Sequence, residues 1–271
     1  MTIAYLGPKG TFTEIALSTY FNNEAVKIIP KPSIEDVFQS VIDQESTYGV
    51  VPVENSIEGA VNNTLDQLLE RDIYVIGEIK IPINQCLLAK NIQGNEIINV
   101  YSHPQSFAQC RKWINDNIPK SNLIPVLSNS EGAIKVKSST DACIGPNILS
   151  SYYNLNIIQT NIQDFRNNET RFLILSRSME SVTSKSKTSI VIIPQAESKS
   201  GSLYSLLKPF SDNNINLTRI ESRPVKTKNW KYSFYIDFEG NYEDEAIKKT
   251  LNTIQQSDNE IKLLGSYKSH N

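Results

Sequence analysis

The sequence predicts an α/β protein that ends in a smaller, separate module with the element order βαββαβ. Short β-rich runs alternate with helical patterns up to about residue 176, which is typical of α/β layers joined by crossover connections. Residues 177–189 are dominated by Ser, Thr and Lys, as expected of an exposed linker. A new pattern of strands and helices follows, and 271 residues are enough for two domains.

Composition and charge exclude several classes of function. A net charge of -2 provides no basic field that would attract nucleic acid. No apolar run approaches the roughly 18 residues of a membrane span, and the N-terminal residues lack a signal-peptide pattern. The three widely spaced cysteines Cys86, Cys110 and Cys143 are typical of reduced thiols, and two histidines are too few for zinc-type ligand spacing. We therefore expect a cytoplasmic protein without a metal, a nucleic-acid partner or a membrane partner.

The first strand and helix predict a site for an anion. Residues 3–6 form a strand, a glycine-bearing turn follows, and Thr11 and Glu14 have the spacing of a capping box at a helix start. A helix that begins at such a turn directs unpaired N–H groups towards it, where an anion can bind. An ordinary βα unit without a ligand gives the same pattern, so both interpretations are open.

Polar side chains follow two later strands. Residues 51–64 place a polar cluster directly after an apolar strand, and Ser102, His103 and Gln105 occupy another strand-to-helix junction. Ligands of α/β proteins usually bind at the carboxyl ends of strands. A solvated turn with helix caps explains the first cluster equally well, and a lone histidine at a helix start is more often a cap than a base.

The segment DFRNNETRFLIL, residues 164–175, places Thr170 and Arg171 immediately before an apolar strand. One interpretation is a polar loop that leads into a core strand. The other is that the strand begins at a cleft, where the two side chains contact a ligand.

The elements between and after these segments complete the pattern. Ser128 and Glu131 repeat the capping-box spacing, and Pro104 suits a first helical turn. In the last 80 or so residues, apolar residues at helical spacing lie between predicted strands. The elements there have the ferredoxin-like order βαββαβ. The predicted helices cover residues 11–21, 32–42, 61–70, 103–114, 203–210 and 247–254, and the predicted strands cover 3–6, 48–54, 75–89, 172–175, 190–194, 215–225, 231–240 and 260–268.

Four segments in this order resemble the prephenate dehydratase family: YLGPKGTFTEIA, VPVENSIEGAV, VYSHPQSFAQC and DFRNNETRFLIL. The tail, with SGSLYSLLKPF and INLTRIESRP, resembles the ACT regulatory domain that follows in that family. The resemblance implies two α/β lobes similar to periplasmic binding proteins, with the active site in the cleft between them. It implies a catalytic domain at 1–176 (lobes 1–78 plus 160–176, and 79–159), a linker at 177–188 and an ACT domain at 189–268.

The family also implies conversion of prephenate to phenylpyruvate, water and carbon dioxide without a cofactor, and feedback inhibition by L-phenylalanine. Thr170, Arg171 and Phe172 match its Thr-Arg-Phe motif and are the expected catalytic residues. Thr170 would donate a hydrogen bond to the leaving oxygen. Arg171 would form a forked contact with a substrate carboxylate or would buttress the loop.

The remaining expectations concern binding. The expected substrate-binding residues are Gly10, Thr11, Phe12, Glu54, Asn55, Ser56, Ser102 and Gln105. The expected L-phenylalanine site consists of Gly201, Ser202, Leu203, Glu221, Ser222, Arg223 and Pro224, and a site shared between chains implies a homodimer or homotetramer joined through ACT domains.

The sequence departs from the family pattern at two places, and two alternative functions fit the same sequence features. Asn84 and Gln85 stand where the family commonly has a histidine pair, which excludes a mechanism that needs an imidazole there. Residues 128–133 read SNSEGA where the family often has Ser-Thr-Ala-Glu-Ala-Ala. The rivals are an arogenate dehydratase and a non-catalytic two-lobed protein that binds small anions.

Overall fold

The computed structural model describes residues 1–22, 26–90, 96–182, 185–195, 200–225 and 232–268. Within these ranges the chain forms one ten-stranded sheet and one five-stranded sheet, with helices packed on their faces. None of the described helices is long and apolar enough to cross a membrane.

The first lobe is built from the N-terminal part of the chain. Its second helix shows why these segments fold as they do: Ile34, Val37, Phe38 and Val41 form one buried stripe, and the Ser33 hydroxyl caps the helix by accepting from the Asp36 N–H. The elements are β1 (Thr2–Leu6), α1 (Phe12–Tyr20), β2 (Lys27–Lys31), α2 (Ile34–Ile42), β3 (Tyr48–Asn55), β4 (Gly59–Ala60), α3 (Asn62–Glu70) and β5 (Tyr74–Pro82).

The chain crosses to the second lobe after Pro82, later than the predicted boundary at residue 78, because β5 continues through that point in the first sheet. The five strands of this lobe have the order β10-β6-β9-β7-β8. The helix predicted at 103–114 is divided at Cys110 into two helices. The elements are β6 (Cys86–Ala89), β7 (Asn99–Ser102), α4 (Pro104–Gln109), α5 (Arg111–Asn117), β8 (Asn122–Pro125), α6 (Asn129–Lys135), β9 (Asp141–Gly145), α7 (Ile148–Tyr153) and β10 (Asn156–Gln159).

The chain then returns to the first sheet as β11 (Glu169–Ser176), which lies antiparallel between β3 and β5. Both crossings between the lobes meet at the start of this strand, where the Ile83 N–H donates to the Asn168 carbonyl over 2.8 Å. Thr170 is the second residue of β11. The predicted motif therefore lies at the junction of the two lobes.

The C-terminal domain has the predicted order βαββαβ. Its strand order is β13-β14-β12-β15, and both helices pack on one face against an apolar core that includes Ile190, Phe210, Ile236 and Phe238. The first strand begins at Ser186, inside the segment 177–188 that was expected to be a linker. The elements are β12 (Ser186–Pro194), α8 (Ser202–Asp212), β13 (Leu217–Pro224), β14 (Tyr232–Glu239), α9 (Glu245–Gln255) and β15 (Asn259–Lys268).

The other face of this small sheet packs on the first lobe. The strand β15 lies beside β5, so the two sheets become one with the order β13-β14-β12-β15-β5-β11-β3-β1-β2. Val191, Tyr235, Leu264 and Tyr267 enter the same core as Leu173 of the first lobe. Ser233, Tyr235 and Asp237 on this face of β14 are buried, with exposures of 0–4%.

Candidate active site

The Thr170 hydroxyl is held by a buried amide. Thr170 lies opposite Asn55 in the β11–β3 ladder, and Asn55 Nδ2 donates to Thr170 Oγ1 over 2.9 Å and to Asn168 Oδ1 over 2.8 Å. The Asn55 Oδ1 atom accepts from the N–H groups of Ile57 and Glu58, so the amide is fixed from both ends. Because Thr170 Oγ1 accepts from Asn55, its own hydrogen remains to be donated to another group.

Ser56 fixes the loop that precedes Thr170. Its hydroxyl donates to the Asn167 carbonyl over 3.2 Å and accepts from the Glu169 N–H over 3.0 Å. The backbone N–H of Ser56 donates to the Glu169 carbonyl. Ser56 is therefore a loop-holding residue at the cleft.

Arg171 points to the opposite face of β11, because neighbouring residues of a strand alternate. Its Nε donates to Glu78 over 2.6 Å, Nη1 to Asp237 over 2.6 Å and Nη2 to Tyr267 over 3.0 Å. Burial acts to lower the pKa of Arg171, but Asp237, Tyr267 and Glu78 outweigh it and raise that pKa, so the guanidinium is a cation. The expected fork onto a substrate carboxylate is corrected, since these protein groups occupy the fork.

Two further expected contacts are corrected, Phe172 by its burial and Glu54 by its place on the Arg171 face. Phe172 is 2% exposed and packs in the core of the first lobe with residues such as Ile3 and Tyr5, so it supports β11 from within. Glu54 lies on the Arg171 face, where its carboxylate is 3.1 Å from Arg219 of the C-terminal domain. Neither side chain contacts the junction between the lobes as a ligand-binding group.

The start of α1 does not offer the expected anion site. The Glu14 carboxylate already accepts from the Gly10 N–H, and the Thr11 hydroxyl donates to the Leu6 carbonyl over 3.2 Å, so the predicted capping box is wrong. Phe12 packs against the core of the first lobe. At α6, by contrast, Ser128 accepts from the Glu131 N–H as predicted.

Asn129 organises the wall of the second lobe. Its Oδ1 lies 3.0 Å from Ser102 Oγ, 3.0 Å from the His103 N–H nitrogen and 3.1 Å from Ser106 Oγ. His103 caps α4, because its Nδ1 accepts from the Gln105 N–H. The histidine is therefore a cap, and Asn129, which the sequence did not single out for chemistry, connects the predicted Ser102 to the first turn of α4.

The departure at Asn84 and Gln85 creates an amide cluster at one crossing. Asn84 Oδ1 accepts from Gln163 Nε2 over 3.0 Å, and Gln85 Nε2 donates to Gln109 Oε1 over 3.1 Å. Gln85 is 1% exposed, and its Oε1 has no hydrogen-bond partner among the described residues. Asn168 Nδ2, beside Thr170, is also buried without one.

The lobes are in contact at one side of this junction through Glu58. Its carboxylate accepts from the amides of Gln105 and Gln109 on α4, the latter over 3.1 Å. Gln109 was not predicted as a site residue. Two amide donors on one helix thus hold a carboxylate at the cleft.

A second contact between the lobes is centred on Tyr152. Its hydroxyl donates to Glu14 over 2.8 Å, and Lys9 Nζ lies 3.9 Å from the centre of its ring. Burial, followed by the Glu14 carboxylate, raises the pKa of Tyr152 to about 12, so this donor stays protonated. Gly10 (φ 87°) lies so close to the second lobe that a Cβ there would be 2.7 Å from Leu149.

Comparison with known proteins decides the family. Residues 3–180 match the family model of prephenate dehydratase, and residues 189–255 match that of the ACT domain. The chain belongs to the prephenate dehydratase family. The resemblance seen in the sequence is confirmed.

Relatives and solved structures agree over nearly the whole chain. A bifunctional chorismate mutase/prephenate dehydratase from Pseudomonas aeruginosa is 42% identical over 98% of this chain and 73% of its own length. A prephenate dehydratase from Methanocaldococcus jannaschii is 37% identical, covering 98% and 97%. The crystal structure of a prephenate dehydratase from Arthrobacter aurescens in complex with L-Phe has a TM-score of 0.88 and 30% identity, covering 98% of this chain and 90% of that one.

The predicted effector residues of the ACT domain divide into two groups. Gly201 (φ 84°), Ser202 and Leu203 are exposed at the start of α8. Ser222 and Pro224 are exposed on β13. These five residues form the accessible group.

Glu221 and Arg223 lie on the other face of β13. The Glu221 carboxylate is 3.9 Å from Arg219. Arg223 Nη2 donates to Asp66 on α3 over 2.8 Å, and its Nε donates to the same carboxylate. Arg223 therefore connects the ACT domain to the first lobe.

Proposed function

We propose that the chain converts prephenate to phenylpyruvate, with loss of water and carbon dioxide, in the cleft between the two lobes. The observation that carries this proposal is the Thr170 hydroxyl. It belongs to the family's Thr-Arg-Phe motif, lies where both crossings between the lobes meet, and accepts a hydrogen bond from the buried Asn55 amide over 2.9 Å.

The chemistry follows from what this hydroxyl can do. It donates a hydrogen bond to the departing ring hydroxyl of prephenate, and this bond strengthens as negative charge develops on that oxygen. The leaving hydroxide takes up one proton from solvent and departs as water. The ring carboxylate leaves as carbon dioxide, and its bonding electrons complete the aromatic ring as the hydroxyl departs. The amide of Asn55 orients Thr170, so rate enhancement rests on positioning and on neutral donors.

The substrate's carboxylates need donors that Arg171 and the start of α1 do not supply. We assign this role to the amides of Gln105 and Gln109, which hold the Glu58 carboxylate in the absence of substrate. Ser102, oriented by Asn129, lies on the same wall. Substrate binding would displace Glu58 from the two amides.

The decisive experiment measures phenylpyruvate formation from prephenate by the purified protein. We expect saturable turnover without added metal or cofactor. The same assay with arogenate, in which an amino group replaces the ketone, compares kcat/KM for the two substrates. Turnover of neither compound would reject the proposed function, and a higher kcat/KM for arogenate would reassign the substrate.

Regulation is the second part of the proposal. L-Phenylalanine would bind at the accessible group on α8 and β13 and inhibit turnover. The Gly201 turn and the start of α8 offer N–H donors to its carboxylate. The Arthrobacter aurescens relative was crystallised in complex with L-Phe, which supports binding of this amino acid. Titration of L-phenylalanine by calorimetry, with turnover measured in parallel, tests it, and the absence of both binding and inhibition would reject it.

The same surface suits self-association. The strand β13 ends the ten-stranded sheet, and a terminal strand pairs readily with a second chain. Four large apolar side chains of this domain are 42–68% exposed: Leu203, Tyr204, Ile220 and Tyr232. We propose a homodimer or homotetramer joined through ACT domains, which sedimentation equilibrium measures directly.

We also propose a cytoplasmic location, since the three cysteines are buried free thiols.

A further inference from the structure

A ring of buried polar side chains joins the ACT domain to the strand that carries Thr170. Arg171 Nη1 donates to Asp237 Oδ2 over 2.6 Å, and Arg171 Nη2 donates to the Tyr267 hydroxyl over 3.0 Å. Ser189 donates to Asp237 Oδ1 over 2.6 Å, and its oxygen lies 2.6 Å from the Tyr267 hydroxyl. Because the serine hydrogen goes to Asp237, Tyr267 donates to Ser189, and the four groups form a closed circuit.

The circuit continues into a second ion pair across the domains. Glu78 of β5 accepts from Arg171 Nε through Oε2 and from Lys187 Nζ through Oε1, each over 2.6 Å. Both carboxylates, Glu78 and Asp237, are therefore bonded at both oxygens. The two cations and two anions are 0–9% exposed. Separating the domains would leave Asp237 and Lys187 without their charged partners and Arg171 and Glu78 with only each other, so breaking this buried contact is costly.

The position of Arg171 in β11 links this contact to the active site. Thr170 precedes it directly and lies opposite Asn55, and the β11–β3 register shifts between Arg171 and Phe172. Such a bulge changes the direction in which a strand presents its side chains. A displacement of the Arg171 side chain therefore acts on the backbone beside the Thr170–Asn55 hydrogen bond.

We infer that Arg171 is a positioning residue through which the ACT domain sets the place of the Thr170 hydroxyl. Asp237 and Tyr267 hold the guanidinium from the ACT side, and Glu78 holds it from the catalytic side. An effector that moves β14 or β15 then changes catalysis by moving Arg171. The inference rests on the proposed function, because it assigns a catalytic role to Thr170.

The test uses the full chain with changes in the ACT domain only. Asp237→Asn removes one of the two carboxylate charges bonded to Arg171, and Tyr267→Phe removes the two hydrogen bonds of the hydroxyl while preserving the packing of the ring. We expect kcat to fall about tenfold or more in Asp237→Asn and less in Tyr267→Phe, with little change in KM, because small misplacements of a catalytic group are costly. Maximal inhibition by L-phenylalanine should also decrease in both variants.

Asp66→Asn is the matched control. It breaks a different ion pair between the domains, Asp66–Arg223, which contacts α3 and not β11. This variant should keep the wild-type kcat. If all three variants lower kcat equally, the effect is general loosening of the domains and the inference is rejected. Wild-type kcat in folded Asp237→Asn and Tyr267→Phe also rejects it.

A measurement without turnover separates this inference from the proposed function. Amide hydrogen exchange of residues 166–173 should be faster in Asp237→Asn than in wild type and unchanged in Asp66→Asn. This result is expected even if prephenate is not the substrate. Equal protection of this segment in wild type and Asp237→Asn would overturn the link between the ACT domain and β11.

Discussion

At the scale of single residues, the candidate site depends on which atom of a hydrogen bond carries the hydrogen. Asn55 presents its NH₂ group to Thr170 because its oxygen is occupied by two backbone N–H groups. Thr170 is therefore an acceptor towards Asn55 and a donor towards the substrate. The chemistry of the threonine follows from the orientation of its neighbour.

Replacing Thr170 tests this donor. Thr170→Ala should fold normally and lose on the order of 10²-fold or more in kcat, since one donor to a developing charge is removed. Thr170→Ser keeps the hydroxyl and should retain far more activity. Steady-state kinetics on both variants decide the matter, and a folded Thr170→Ala with near wild-type kcat would remove Thr170 from the mechanism.

Changing Asn55 tests whether its amide sets the direction in which the Thr170 hydroxyl donates its hydrogen. In Asn55→Asp the amide donor becomes an acceptor oxygen, so Thr170 would turn its hydrogen to the carboxylate and away from the substrate. We expect a loss in kcat on the order of 10²-fold, comparable to loss of the hydroxyl itself. Asn63→Asp, at an exposed position on α3, adds the same charge elsewhere and should have wild-type kinetics. Equal kinetics in the two variants would contradict this role of Asn55.

The sequence identified Thr170 and Asn55 but not the direction of Arg171. A motif specifies which residues are adjacent, whereas strand alternation sends Thr170 to the cleft and Arg171 to the other face. The partners of Arg171 are about 66 and 96 positions away along the chain, so no local pattern reveals them.

At the scale of elements, the contact between β15 and β5 requires a residue without a side chain. Gly265 has φ 151°, and a Cβ at this position would lie 2.1 Å from the Val75 carbonyl oxygen. The clash is with backbone, which cannot rotate away as a side chain can. Gly265 therefore allows the two strands to join the sheets.

The variant Gly265→Ala should destabilise the fold by about 3 kcal/mol or more, because it adds an overlap with backbone to an unfavourable φ. Gly59→Ala is the control. Gly59 also has a positive φ of 81°, but no atom lies within 4 Å of its added Cβ. That variant should cost only about 1–2 kcal/mol. Urea unfolding measures both, and equal losses would mean that the β15–β5 contact tolerates a methyl group.

Most of the elements were predictable because apolar periodicity decides them. The predicted helix at 32–42 matches α2 (Ile34–Ile42), and the predicted strand at 231–240 matches β14 (Tyr232–Glu239) over the residues that the structure describes. The sequence could not locate the end of β5 or the start of β12. The predicted strand at 75–89 runs past the end of β5 at Pro82 and into β6, which belongs to the other sheet. The strand β12 begins at Ser186, before the predicted start at 190, because its polar first residues pair with β14 and β15.

At the scale of the whole molecule, the first lobe and the ACT domain share one sheet and one core, whereas the second lobe has cores of its own. The sequence predicted three compact regions and could not predict this division. Domain boundaries are visible in composition, but the packing of one domain on another depends on surfaces that only the folded chain brings together.

Two leucine variants test whether the first lobe and the ACT domain share a core that is separate from the second lobe. Leu264→Ala, in the shared core, should cost about 2–5 kcal/mol and should increase amide exchange in β3 of the first lobe as well as in the ACT domain. Leu88→Ala makes the same change in the second lobe and should leave β3 protected. Hydrogen exchange followed by mass spectrometry reports on all regions at once. An effect of Leu264→Ala confined to the ACT domain would show that the shared core does not unfold as a unit.

The place of β15 also has a consequence for synthesis on the ribosome. This strand is the last of the described strands to be translated, yet it lies inside the sheet between β12 and β5. Until it emerges, the nascent catalytic lobe has an open edge at β5, and Arg171 lacks Tyr267. A premature stop codon late in the gene would therefore leave β5 without its β15 neighbour and Arg171 without the Tyr267 hydroxyl, so the loss would extend beyond the ACT domain to the strand that carries Thr170.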